Sequence, residues 1–190
     1  MPIVIFLGKN VKEYANKNAE IIARTLNENA IRCELCLQPM RRHSSYERGI
    51  KETGERITIT VVWCRACQKW HALLPDFLLR RKHYSGNEIE SVIIDSATER
   101  VDRIETEASE SAVRRWIKQI GERVRQAVSV LKYQFRRAGQ PVSEIMVDAG
   151  SCYDELERIL DLAPSDIKYS GNKLGLANIW LRTSGMAVYI

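Results

Sequence analysis

Four of the five cysteines in this chain form two pairs of identical spacing. The sequence reads CELC at residues 33–36 and CRAC at residues 64–67, whereas Cys152 stands alone. A Cys-x-x-Cys turn points two thiolates at one place, and two such turns supply the four ligands of a tetrahedral zinc ion. The spacing therefore predicts one structural zinc, bound by Cys33, Cys36, Cys64 and Cys67.

Disulfides and redox chemistry are the alternative uses of paired cysteines. Residues 1–18 have too short an apolar run for a secretory signal and no cleavage site, so we expect a cytoplasmic protein. Paired cysteines in a reducing compartment more often bind metal or do redox work than form disulfides. A thioredoxin-like redox role would need one pair at a helix start, not two in hairpin-like surroundings. Zinc is favoured, and redox or unrelated cysteines remain the alternatives.

Charge is segregated along the chain. The 190 residues carry a net charge of +5, but residues 86–111 carry −6 and residues 112–139 carry +7. Such separation favours distinct acidic and basic faces, and a basic face is typical of nucleic-acid binding. A merely solvated helix is the alternative. No stretch approaches the roughly 20 apolar residues of a membrane span, so a membrane is not an expected partner.

The secondary structure predicted around the cysteines indicates an α+β protein. Its main parts are a small zinc-ribbon β-hairpin, a helical unit after it and a mixed C-terminal piece. Residues 2–8 are β-branched and apolar, which indicates a short buried strand, and residues 10–29 predict one or two helical turns. Residues 41–63 predict two strands joined by a turn at Gly54. The four cysteines then lie at the ends of a hairpin, and metal binding would supply much of its folding free energy.

The helical part begins after the ribbon. Ser85 and Glu88 have the spacing of a capping box and predict a helix over 86–97, followed by a short helix over 98–106. Ser109 is placed to cap a long amphipathic helix, whose apolar residues recur every three or four positions. These three pieces have the proportions of a helix-turn-helix, in which the last helix enters the DNA major groove.

The C-terminal residues predict a mixed piece. Ser151 and Asp154 have capping spacing before a short helix, and residues 176–190 predict a pair of strands. The whole chain is then divided into an N-terminal extension, a zinc ribbon, a helix-turn-helix unit and a C-terminal segment, at residues 1–32, 33–83, 84–139 and 140–190.

The start of the long helix carries side chains suited to DNA. Serine hydroxyls can reach phosphates or base edges, and arginine can bind guanine or phosphate through two hydrogen bonds. Trp116 would face inward and hold the helix in place. A core helix with a solvated basic face is the alternative. The predicted DNA-contacting residues are Ser109, Glu110, Ser111, Arg114, Arg115 and Lys118.

Residues 33–118 are similar in sequence to two kinds of known protein. The run from CELC through CRACQKWHALLPDFLLRRKHYS to SESAVRRW resembles an uncharacterised bacterial family of small zinc-ribbon proteins with a helix-turn-helix. It also looks like the N-terminal zinc-ribbon and helix-turn-helix modules of insertion-sequence transposases. The resemblance implies a DNA-binding protein, either a transcriptional regulator or an accessory factor of mobile elements.

A protein-interaction adaptor is the second hypothesis. In it the ribbon and the apolar run HALLPDFLL, residues 71–79, dock on another protein, and the basic helix is only solvated. A protein partner or a homodimer would follow. An enzyme is not expected, because the sequence has no Walker phosphate loop and no H-E-x-x-H helix.

Overall fold

A computed structural model of the chain describes residues 2–28, 31–140, 142, 151–162, 167, 169–183 and 190. Its strands lie in the N-terminal half and most of its helices follow them, which confirms the predicted α+β class. The elements in chain order are β1 (Ile3–Ile5), α1 (Val11–Asn27), β2 (Arg41–Gly49), β3 (Arg56–Cys64), β4 (Lys69–Pro75), α2 (Gly86–Asp95), a 3-10 turn (Val101–Arg103), α3 (Glu110–Arg137), α4 (Cys152–Leu160) and α5 (Lys173–Thr183).

The predicted hairpin is the edge of a larger sheet. Strands β2 and β3 pair antiparallel, and Gly54 in their turn has φ 68°, a conformation that glycine adopts without strain. Strand β4 was not predicted. It pairs antiparallel with β3 and parallel with β1 to give the order β1-β4-β3-β2. Its sequence, KWHALLP, lacks the β-branched alternation that marks β3, so only its two neighbours identify it as a strand.

Helix α1 is longer than the one or two turns predicted. It runs for 17 residues and begins where the Asn10 side chain accepts the Glu13 amide N–H. Tyr14 and Ile22 are buried, and the Tyr14 hydroxyl donates to the Thr58 carbonyl of β3 at 2.8 Å. Packing on the sheet therefore stabilises a helix whose polar composition gives only a weak periodic pattern.

Buried apolar residues form two clusters. One joins the sheet to α1 and extends to Leu78, and it includes residues of β1. The other begins at Leu79 and runs through the helices to Ile190. Residues of the predicted N-terminal extension thus share a sheet and a core with the ribbon.

The start of α2 is capped by two side chains. The Ser85 hydroxyl accepts the Glu88 amide N–H at 3.2 Å, as predicted. The reciprocal bond of a capping box is absent, because the Glu88 carboxylate accepts from the Thr106 hydroxyl instead. The Ser85 N–H donates to the Glu52 carboxylate at 2.6 Å, so the β2–β3 turn completes the cap.

The predicted short helix over 98–106 is wrong. Only the single 3-10 turn Val101–Arg103 forms there. Two apolar residues, Val101 and Ile104, bury too little surface to stabilise a separate short helix. Residues 96–109 therefore form a long connection between α2 and α3, unlike the three- to four-residue turn of a helix-turn-helix.

Helix α3 confirms its predicted start and buried face. The Ser109 hydroxyl accepts the Ala112 amide N–H, and the helix then continues for 28 residues. The predicted inward residues are buried except Ile117, which is half-buried. Neither α3 nor any other helix in the described ranges combines the length and apolar composition of a membrane span.

The C-terminal elements confirm one prediction and correct another. Ser151 and Asp154 form a complete capping box at the start of α4. Residues Lys173–Thr183 form α5, where the beginning of a strand pair was predicted; positions 184–189 of that pair lie outside the described residues. The Glu90 carboxylate of α2 accepts the amide N–H groups of Lys173 and Leu174, at 3.0 and 3.1 Å. A distant side chain thus caps α5, which local sequence does not reveal.

Candidate metal centre and basic cleft

The four paired cysteines meet at one point of the ribbon. Their sulfur atoms all lie within 4.8 Å of one another, and the Sγ atoms of Cys36 and Cys64 are 3.4 Å apart. A tetrahedral metal with sulfur ligands at about 2.3 Å places those sulfurs about 3.8 Å from each other. The donor set therefore fits a single tetrahedral metal ion.

Both knuckles end in the same backbone conformation. The residue directly after the second cysteine has a positive φ in each, 59° at Leu37 and 52° at Gln68. In the first knuckle the Cys33 carbonyl accepts the Leu37 N–H, and the Cys33 N–H donates to the Gln38 carbonyl, both at 2.9 Å. These left-handed residues close each turn, so both sulfurs of a pair point to the same side.

The thiols are held in unequal electrostatic surroundings. The Cys67 amide N–H donates to the Cys64 sulfur at 3.5 Å, which lowers the pKa of the Cys64 thiol to about 7. The pKa of the Cys67 thiol is raised to about 12, first by its hydrogen bond with Cys36 and then by burial. Four thiolates this close repel one another, so a bound cation is needed to hold all four deprotonated.

The metal centre is anchored in the sheet core. Cys33 and Cys64 are buried and belong to the cluster that joins the sheet to α1, and Cys36 and Cys67 pack half-buried against it. Cys64 ends β3, and the second knuckle leads directly into β4. A metal held here therefore ties the first knuckle to β3 and β4.

A basic cleft lies between the segment after β4 and helix α3. It has a volume of about 520 Å³, and its lining includes Ser109, Tyr84, Trp116 and Gln119. No aspartate or glutamate is among the residues that line it. Its cationic lining residues are Lys51, Arg80, Arg81, Lys82, Arg115 and Arg123. Cations on two facing walls make this concavity strongly positive.

Hydrogen bonds from β2 and its turn hold the backbone of the segment 80–83, which lines the cleft. The Arg48 guanidinium donates to the backbone carbonyls of Leu79, at 2.8 Å, and of Lys82. The Lys51 N–H donates to the His83 carbonyl at 2.8 Å. Strand β2 and its turn thus position these cations before any ligand arrives.

Like charges crowd this cleft. The Lys82 ammonium donates to Gln119 Oε1 at 2.9 Å. Burial lowers the pKa of Lys82, and the nearby Arg123 and Arg115 guanidiniums lower it further. No carboxylate lines the cleft to neutralise these groups. An anion bound between the two walls would relieve this repulsion.

The floor of the cleft is aromatic. Trp116 is 2% exposed, which confirms its predicted inward orientation. Its ring packs edge-on against Tyr84, with centroids 4.8 Å apart. The pair packs α3 against the segment after β4 and so joins the two basic walls.

The predicted DNA-contacting residues are all exposed but divide between two sides of α3. Ser109 and Arg115 line the cleft, and the Ser111 hydroxyl lies 3.1 Å from that of Ser109. Arg114 instead pairs with Glu110 one turn earlier, with Nη2 and Oε1 2.5 Å apart. Neither Arg114 nor Lys118 lines the cleft.

The second basic wall of the cleft was not predicted. Lys51 and residues 80–82 contribute to it, and the run RRKH at 80–83 was the available signal. The position of that run opposite Arg115 depends on tertiary packing, so the sequence alone does not reveal the wall.

The apolar run of the adaptor hypothesis is not an exposed surface. Leu73, Phe77 and Leu79 in residues 71–79 are each at most 1% exposed. They belong to β4 and the segment after it and form part of the core. The expectation that this run docks on another protein is therefore wrong.

Comparison with known proteins finds one family. Residues 33–116 match a family described as a domain of unknown function (DUF6431). The match begins at the first cysteine of the metal centre and ends at Trp116 in the floor of the cleft. No curated protein and no solved structure matches the chain. The expected similarity to a domain of unknown function is confirmed, whereas nothing found supports similarity to transposase modules.

Proposed function

We propose that this chain is a zinc-stabilised DNA-binding protein, a transcriptional regulator or an accessory factor related to mobile elements. The observation that carries the proposal is the basic cleft, in which two walls present six lysine and arginine side chains and no carboxylate. Phosphate contacts supply most of the affinity of non-specific DNA binding. The proposal is a binding function and assigns no catalytic step.

Zinc is the metal that suits the four cysteines. Four thiolates in a tetrahedral arrangement are typical of structural zinc, whereas magnesium and calcium take oxygen ligands. With four protein ligands, no coordination position remains open for water or substrate. The metal would therefore stabilise the ribbon. The ribbon in turn positions Lys51 at the cleft and Arg48 against the backbone of the segment that lines it.

The cleft suits one phosphodiester backbone. Its volume of about 520 Å³ is too small for a whole duplex. Guanidinium and ammonium groups on both walls can bind successive phosphates, and the Ser109 hydroxyl can donate another hydrogen bond. Contacts of this kind orient a protein on DNA.

A charge-matched pair of double variants tests the cleft. Arg115→Gln/Arg123→Gln removes two charges that line it, and Arg114→Gln/Arg125→Gln removes two exposed charges of the same helix that do not. Binding of a fluorescein-labelled duplex is measured by anisotropy over a salt series. The first variant should lose affinity at least about tenfold. The slope of the logarithm of its binding constant against the logarithm of salt concentration should become shallower by about two. The second should bind nearly as the parent does.

Two results would overturn this assignment. If both double variants bind as the parent does, neither side of α3 contacts DNA. If only the Arg114/Arg125 variant loses affinity, the outer side of α3 is the interface and the cleft is not. Zinc content and melting temperature, measured for each variant, confirm that the fold is unchanged.

A protein-docking role is the second candidate, favoured by two exposed leucines of the first knuckle. Leu35 and Leu37 are 67% and 66% exposed. Salt separates the two candidates, since an apolar dock barely responds to salt, whereas binding through several phosphates weakens by orders of magnitude between low and moderately raised salt.

A further inference from the structure

The outer end of the ribbon exposes aromatic rings that the cleft does not use. Trp70 is 60% exposed, Trp63 is half-buried, and His43 is exposed. The rings of His43 and Trp70 meet edge-on with centroids 5.9 Å apart. Together with Gln68 these side chains line a shallow depression of about 300 Å³, here named the ribbon platform. An exposed tryptophan leaves a large apolar area in water, and such exposed apolar surfaces often mark binding sites.

The strand register places these rings on one face of the sheet. Trp63 is directly opposite Trp70 across β3 and β4, and opposite Arg41 across β2 and β3. Directly opposed residues point to the same face. The register shifts between Arg42 and Ser44, which leaves His43 as an extra residue whose ring leans towards Trp70.

Two exposed cations accompany the platform. Arg41 is directly opposite Trp63 and so lies on the same face, and Arg65 follows Trp63 by two residues in the second knuckle. Arg42 and Lys69 are opposite Val62 and Cys64 and point to the other face. A flat aromatic surface flanked by cations complements a partner with flat rings and negative charges. Unpaired nucleobases with their phosphates have this chemistry.

We propose that the ribbon platform stacks unpaired bases of a single-stranded nucleic acid. Trp70 provides the main stacking ring, while Arg41 and Arg65 neutralise the adjacent phosphates. Bases in a duplex are already stacked on their neighbours, so the platform requires a single strand or an opened segment. The platform shares no residue with the basic cleft. It therefore goes beyond the proposed function and can fail or succeed independently of it.

The test separates an aromatic contact from a merely apolar one. The zinc-loaded full chain is titrated into fluorescein-labelled oligo(dT) and oligo(U) of about 12 nucleotides, a length within the range of known single-strand sites. Trp70→Leu should weaken binding about tenfold, and Trp70→Phe should stay within about threefold of the parent. Tyr133→Leu is the matched control, because Tyr133 is 62% exposed on α3 outside the platform. The tighter of the two probes identifies DNA or RNA as the ligand.

Each outcome decides the proposal. The proposal is overturned if Trp70→Leu binds the oligonucleotides as tightly as the parent. It is also overturned if Trp70→Phe loses as much affinity as Trp70→Leu, because a phenyl ring can still stack on a base. If the parent binds neither oligonucleotide, the proposal fails and a protein partner becomes the occupant to seek. Should Trp70→Leu lose zinc, His43→Leu on the exposed strand β2 replaces it, with a loss of about threefold expected.

The cleft variants keep the two proposals distinct. If Arg115→Gln/Arg123→Gln weakens duplex binding while Trp70→Leu leaves single-strand binding unchanged, the platform is wrong and the proposed function stands. If Trp70→Leu weakens single-strand binding and the cleft variant leaves duplex binding unchanged, the cleft assignment is wrong and the platform stands.

Discussion

At the scale of single residues, the metal centre depends on each of four sulfur atoms. Cys64 connects the most elements, since it ends β3, accepts the Cys67 amide N–H and lies 3.4 Å from the Cys36 sulfur. Cys152 belongs to α4, far along the chain from both knuckles. The two cysteines therefore form a matched pair for substitution by serine.

We predict that Cys64→Ser loses the zinc and unfolds the ribbon, whereas Cys152→Ser retains both. Removing one of four ligands leaves three thiolates without a complete site, and metal binding supplies much of the folding free energy of a ribbon. Metal analysis of protein purified without added zinc should give close to one equivalent for the parent and for Cys152→Ser. A parent that is folded and free of metal would contradict the prediction.

At the scale of elements, α5 can approach the segment after β4 closely because residue 175 is a glycine. A Cβ atom at Gly175 would overlap the Asp76 carbonyl oxygen and would lie 2.8 Å from the Asn172 side-chain oxygen. At Gly121, within α3, a Cβ atom would meet no atom within 4 Å beyond its own stretch of helix. The same substitution is thus crowded in one helix and unhindered in another.

We predict opposite effects of Gly→Ala at these two positions. Gly121→Ala should raise the free energy of unfolding by about 0.5–1 kcal/mol, because alanine favours helix interiors over glycine by about that amount. Gly175→Ala should lower it by about 1–3 kcal/mol, because the backbone of α5 must move away from residue 76. Urea denaturation of both variants measures the difference. Equal stabilisation by the two substitutions would show that α5 does not pack this closely.

At the scale of the whole molecule, Asp76 joins the sheet to the C-terminal segment. It follows β4, its amide N–H donates to the Ile5 carbonyl of β1, and its carboxylate accepts the Ser170 N–H at 2.6 Å. The residue is fully buried. Burial raises the pKa of its carboxyl group to about 6, although hydrogen bonds from Ser170 act in the opposite direction.

This raised pKa makes stability depend on pH in a definite direction. The folded protein holds the Asp76 proton more tightly than the unfolded chain, so the stabilisation is present at low pH and is lost as pH rises through about 6. We predict that the parent loses about 1 kcal/mol more stability than Asp76→Asn between about pH 5 and pH 7.5. Denaturation of both proteins at the two pH values measures it. Parallel pH profiles would show that Asp76 ionises normally.

Local patterns in the sequence were sufficient for several features of this protein. The spacing of the two cysteine pairs predicted which thiols come together, since each Cys-x-x-Cys turn is formed within a few residues. Gly54 predicted the hairpin turn, and Ser109 and Ser151 predicted two helix starts. In each case the interacting groups are close in sequence, so the pattern itself contains the contact.

Contacts between distant residues decided the rest. Strand β4 required β1 and β3 on its two sides, and α5 required the Glu90 carboxylate of α2 to cap it. The basic cleft required the run at 80–83 to face Arg115 across the packed rings of Tyr84 and Trp116. The reason is physical: a strand edge, a helix cap or a charged wall gains its stability from a partner, and only the folded chain determines which partner is adjacent.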